Sequence, residues 1–94
     1  MYKDVVRTKF AIPVRLTLAD GQILNGVFYI SVGERILDLL CDGRPFIPFN
    51  TTEGMSILNK SSMSRIDIVS LDELRADPSP FPDVDIDYME NNRF

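Results

Sequence analysis

Hydrophobic and polar positions along the chain fall into short alternating runs separated by turn residues. Val14-Arg15-Leu16-Thr17-Leu18 alternates apolar and polar side chains, the period of a half-buried strand. Ala19-Asp20-Gly21-Gln22 follows, and Asp-Gly is a favoured hairpin dipeptide because both residues tolerate positive φ. Ile23 to Val32 is rich in β-branched and aromatic residues and predicts the return strand. Gly26 inside it predicts a bend or the close approach of another backbone. The period then changes. From Gly33 to Cys41, apolar residues at 36, 37, 39, 40 and 41 fit one face of two helical turns, with Asp42-Gly43 as the stop. A short buried strand would fit the same run, and the helix is the preferred reading.

Beyond it, Pro45-Phe46-Ile47-Pro48-Phe49 reads as a strand whose prolines require an edge or a bulge. Residues 50–54 form a turn, Met55 to Leu58 another strand, 59–62 a tight corner, and Met63 to Val69 a last alternating strand. Ser70 with Glu73 three residues on has capping-box spacing and opens a short helix. Asp77-Pro78-Ser79-Pro80-Phe81-Pro82 then sets three prolines at alternate positions, each removing a donor and extending its predecessor. These features divide the chain into a compact domain over residues 1–76 and a flexible tail over 77–94, Pro-rich and then acidic.

Five short strands joined by tight turns point to a mainly β fold, a small and strongly bent barrel rather than a sandwich. The run Val14-x-Leu16-x-Leu18-x-x-Gly21-x-x-Leu24-x-Gly26-Val27-Phe28 resembles the first motif of the Sm-like family, which includes Hfq-type proteins. Ile57-Leu58-Asn59-Lys60-Ser61-Ser62-Met63-Ser64-Arg65-Ile66 is similar to the second motif, a lysine-bearing corner between the last two strands. The matches span roughly 14–70 around an unmatched middle. The resemblance implies a five-stranded Sm-like/SH3-type barrel, here with a short helix inserted after the second strand. It also implies assembly of copies through the last two strands, with Ile57, Met63 or Ile66 near the subunit contact.

The departures bear on function. Sm-like proteins supply an aspartate and an asparagine after the second strand to hold a uracil base, and the Gly33–Cys41 segment stands there instead with no matching asparagine. The family's second motif continues after its lysine with histidine or with arginine-glycine; this chain has Lys60-Ser61. Lys60 is the one RNA-site position the resemblance carries over, as a phosphate contact rather than a base reader.

Charge refines the picture. The 94 residues carry a formal charge of −4. Residues 1–75 balance nine basic against nine acidic side chains, so the excess acid lies after Ala76, in Asp77, Asp83, Asp85, Asp87 and Glu90 against Arg93. The first fifteen residues hold Lys3, Arg7, Lys9 and Arg15 against Asp4 alone. With an aromatic such as Tyr2, Phe10, Phe28 or Tyr29 to stack a base, these cations and Lys60 form the candidate nucleic-acid surface. A solvated charged face is the commoner use of such a cluster.

Candidate chemistry is sparse. Histidine is absent and Cys41 is the single cysteine, which excludes a Ser-His-Asp triad, a Cys-His pair, an internal disulfide and any cysteine- or histidine-based zinc site. Asp83-x-Asp85-x-Asp87 opens like a calcium loop, but Tyr88 stands where that loop needs glycine and Phe94 where it needs glutamate. Gly21, Gly26 and Gly33 form no phosphate-loop pattern. Cys41, at the apolar end of the helix, is expected to fill core space. Arg35 and Asp38 are spaced to pair along the helix.

No run approaches the ~20 apolar residues of a membrane helix, and Met1-Tyr2-Lys3-Asp4 opens no signal-peptide pattern. The expectation is therefore a cytoplasmic, non-catalytic binding and assembly module. It needs no cofactor or metal, forms a homo-oligomer and engages protein partners; RNA binding is the alternative. A chain of this length buries only about 60–65% of its unfolded surface, which favours association.

Overall fold

The computed structural model describes residues 9–91. They form a mainly β domain of five antiparallel strands and three short helices. The strands are β1 (Lys9–Leu18), β2 (Ile23–Ser31), β3 (Phe46–Thr51), β4 (Gly54–Asn59) and β5 (Met63–Ile68); the helices are α1 (Ile36–Cys41), α2 (Leu71–Ala76) and α3 (Ile86–Asn91). The sheet order is β4-β3-β2-β1-β5, so β4 and β5 are its edges and it does not close on itself.

The β1–β2 hairpin forms as the pattern predicts. Its register runs from Lys9↔Ser31 to Thr17↔Ile23, and Gly21 takes φ 89° in the turn. Asp20 Oδ1 accepts the Gln22 N–H at 3.0 Å, the local bond that makes Asp a turn residue. β1 starts five residues earlier than the alternation at Val14–Leu18 indicates. From Ala11 to Val14 it is buried without interruption, which erases the period of two.

The prolines of β3 are accommodated in a way the sequence does not reveal. β3 lies inside the sheet, between β2 and β4, rather than at an edge. It pairs with β4 along its length but meets β2 only at Val27↔Asn50. The missing donor of Pro48 therefore falls where the β2–β3 ladder has already parted. Gly26 is the point of closest approach: a Cβ there would lie 2.5 Å from the Asn50 carbonyl oxygen and 2.6 Å from the Phe49 ring. The close backbone approach expected at this glycine is what the fold uses.

The core is built on Ile12, Val14 and Leu16 of β1, Phe28 and Ile30 of β2, and Ile47 and Phe49 of β3. The boundary expected at Ala76 does not separate core from tail. Phe81, Tyr88 and Met89, all beyond it, are buried in the same cluster. Tyr88 stacks on Phe10 with ring centroids 3.9 Å apart. Asp85 docks on β1, its Oδ2 accepting the Ala11 N–H at 2.6 Å and its own N–H donating to the Ala11 carbonyl at 3.3 Å. Arg75 ion-pairs with Glu90, tying α2 to α3. The acidic stretch read as part of a flexible tail is instead an amphipathic segment with one face inward. Only 92–94 of the supposed tail lie outside the described residues.

Candidate functional site

Two features of the architecture could carry function: the corner where α1 meets the β4–β5 junction, and the two sheet edges. The corner is built by a single 3-10 turn, Lys60–Ser62, between β4 and β5. Asn59 starts it, its Oδ1 accepting the Ser61 N–H at 3.0 Å. Lys60 does not reach outward for phosphate. Its Nζ donates to the Leu39 carbonyl at 2.9 Å, the Asp42 carbonyl at 3.3 Å and Asp42 Oδ1 at 2.6 Å, with only 14% of the side chain exposed. An ammonium placed on the last carbonyls of a helix satisfies orphan acceptors and the negative end of the dipole.

Asp42 is the hub of this corner. Arg44 grips it first, with Nη2 at 2.7 Å and its backbone N–H at 3.0 Å, and Lys60 second. These bonds hold the Asp42 carboxyl well below its ordinary range and raise the Arg44 guanidinium. One carboxylate is thus shared by two cations. The arrangement locks the end of α1 to the β4–β5 corner.

The other proposed cations are dispersed. Arg15 ion-pairs with Glu73 at the start of α2. Lys9 is exposed at the beginning of β1, while Lys3 and Arg7 lie outside the described residues. Tyr29 is half-buried, and its hydroxyl accepts the Asn50 Nδ2–H at 3.0 Å. The structure therefore does not bring Lys9, Arg15, Tyr29 and Lys60 to one surface with free polar atoms. Arg35 and Asp38 meet through the Arg35 backbone N–H, which donates to Asp38 Oδ2 at 3.0 Å, rather than through an ion pair. Cys41 is exposed rather than a core filler, because α1 turns Ile36 and Leu39 inward and leaves its last residue on the outer side. Among the described residues no three acidic or cysteine side chains converge as a metal site. No helix among them is long and apolar enough to cross a membrane.

The edges carry the apolar surface. Ile57 on β4 is 71% exposed, with Met55 two residues away and Phe46 and Pro48 on the adjoining strand, all exposed on the same sheet face. Met63 and Ile66 on β5 turn toward the core cluster, so Ile57 is the most available of the three residues singled out for contact. Ile68, with Ile66, borders a largely apolar groove of about 290 Å³ between β5 and α1, lined on the α1 side by Leu37 and Leu40. Phe46, Met55 and Ile68 were not legible as surface residues. β3 and β4 are apolar on both faces, and alternation alone does not say which face is inward.

Against family models, curated proteins and solved structures, the chain finds no match.

Proposed function

We propose that the chain is a non-catalytic assembly module, a divergent Sm-like small β domain that self-associates through its open sheet edges and engages protein partners. The observation carrying this reading is the bare, uncharged edge strand β4, Gly54-Met55-Ser56-Ile57-Leu58-Asn59, with Met55 and Ile57 exposed. Edge strands of monomeric proteins are normally blocked by charge, proline or a covering segment. The strand order and the 3-10 corner between β4 and β5 support the Sm-like reading.

The RNA-binding alternative has less to stand on. Lys60 is engaged by the α1 carboxyl end and Arg15 by Glu73, which removes two of its cations. Light scattering on the full chain over a dilution series tests the assembly reading: the mass should rise above one chain with concentration. A mass of one chain throughout overturns it. Single-stranded RNA at low and high salt serves as the companion measurement. Tight, steeply salt-dependent binding would restore the alternative.

A further inference from the structure

The self-association just proposed leaves open which edge meets which. Three pairings are available among the described strands: β4 to β5 of the next copy, which repeats head to tail, and β4 to β4 or β5 to β5, each of which closes on a two-fold axis; the exposed apolar side chains of β4 direct attention to the two that include it. The two edges differ in polarity. On the sheet face where β4 exposes Met55 and Ile57, β5 carries Arg65 and Asp67, which bond each other at 3.0 Å. Facing residues follow from the registers: Leu16↔Ile66 and Val14↔Ile68 put Ile66 and Ile68 on the core side, and Arg65 and Asp67 opposite. By the same logic Ile47↔Leu58 and Phe49↔Ser56 put Leu58 and Ser56 on the core side and Met55 and Ile57 opposite.

A β4 strand added to β5 would therefore set Met55 and Ile57 against the Arg65–Asp67 pair and strip water from it without a polar replacement. A β4 strand added to β4 sets apolar side chains against apolar side chains. Because residues 54–59 hold no charge, no like-charge opposition arises when the strand meets itself.

We propose that β4 pairs antiparallel with β4 of a second copy, about a two-fold axis at Ser56. This inference rests on the self-association reading and names its surface. The register is constrained by the pleat. Directly opposed residues share a face, so the axis must pass through a residue rather than between two. An axis at Ser56 places Met55 opposite the partner's Ile57 and Ile57 opposite the partner's Met55, matching all four exposed apolar side chains in cross-strand pairs. An axis at Ile57 would instead set Met55 against Asn59. Phe46 and Pro48, on the same face of β3, flank the pairs and widen the apolar strip across both copies. The two sheets then join into one of ten strands with β5 at both outer ends. A pairing through a strand of 6 residues per copy is small against the roughly 20–30 residues a side of a standard interface, which implies a dimer that dissociates on dilution.

Sedimentation equilibrium on the full chain, joined to cysteine cross-linking, tests this. Wild type should reach a limiting mass of two chains. Ile57→Lys should weaken dimerisation at least tenfold while leaving the melting curve unchanged at concentrations where wild type is a single chain, and Met55→Glu should do the same. In a Cys41→Ser background, Ser56→Cys should form an interchain disulfide on mild oxidation, because the axis brings that residue opposite itself; Ile68→Cys should not. Masses growing past two chains, with Ser56→Cys cross-linking to Ile68→Cys in a mixture, would overturn the two-fold pairing and leave self-association standing. A dimer indifferent to Ile57→Lys and Met55→Glu would also overturn it. A single-chain mass at every concentration would overturn both readings.

Discussion

The outer edge of β1 and the outer edge of β4 face the same physical problem and meet it differently. β1 is covered twice. β5 pairs with it from Val14 to Leu18, and beyond that the Val69 N–H bonds the Pro13 carbonyl and Asp85 satisfies both polar groups of Ala11. Phe81, Tyr88 and Met89 then close the apolar side. β4 receives no such cover among the described residues and still exposes Met55 and Ile57. The segment after α2 covers the half of β1 that β5 leaves unpaired, and among the described residues nothing covers β4. Exposed strand edges are rarely left unguarded without a partner, so the asymmetry itself directs attention to β4.

The largest expected effect breaks or secures the covered side. Truncation after Ala76 removes three buried side chains, each worth about 1.5–3 kcal/mol of burial. In a domain this small each kcal/mol is roughly 4–8 °C, so the melting midpoint should fall by more than about 15 °C or the cooperative transition should vanish. A midpoint within a few degrees of the full chain would return 77–94 to the role of a solvated tail. Gly26→Ala should come next, costing about 3 kcal/mol, the upper range of overpacking, because its new Cβ meets the Asn50 backbone as well as the Phe49 ring. Chemical denaturation measures this, and an unchanged midpoint would show that the β2–β3 approach is not tight.

A smaller loss is expected at the corner that sits between the two edges. Lys60→Met should cost about 1.5–2 kcal/mol, since it strands the Leu39 carbonyl and takes from Asp42 one of its two cations. If the same variant left stability intact while abolishing RNA binding, Lys60 would be a recognition residue after all.

The smallest effect is in acid. Asp42 is depressed on folding, first by Arg44 and then by Lys60. A carboxyl of that kind adds stability above its unfolded pKa, near 3.8, and loses it as pH falls through the lower folded value. The melting midpoints of wild type and Asp42→Asn should therefore differ at neutral pH, begin to converge below about pH 4 and meet only as pH falls toward the lower folded value. Parallel curves would show that the Asp42 cluster is not coupled to folding.

Much of the architecture was legible from local signals. Asp20-Gly21 marked the first hairpin, the change of period at Gly33 marked α1, and Ser70 with Glu73 marked α2, where the Ser70 hydroxyl accepts the Glu73 N–H at 3.1 Å. Gly26 signalled a close approach without naming Asn50 and Phe49. The site was less legible. Lys60 was picked out by its place in a corner, yet that place is what turns it onto α1. A lysine on the surface and one capping a helix look alike in a linear sequence, because the capped carbonyls of Leu39 and Asp42 lie about twenty residues upstream.

Residue type and spacing determined the strands, the turns and the absence of histidine and disulfide chemistry, since backbone preference and side-chain inventory are local properties. Three matters needed the folded chain: the docking of Phe81, Tyr88 and Met89, the inward turn of Lys60, and the outward face of Met55 and Ile57. Each depends on which face of an element meets the core, and for an apolar residue that choice is made by the neighbours it packs against rather than by its own chemistry.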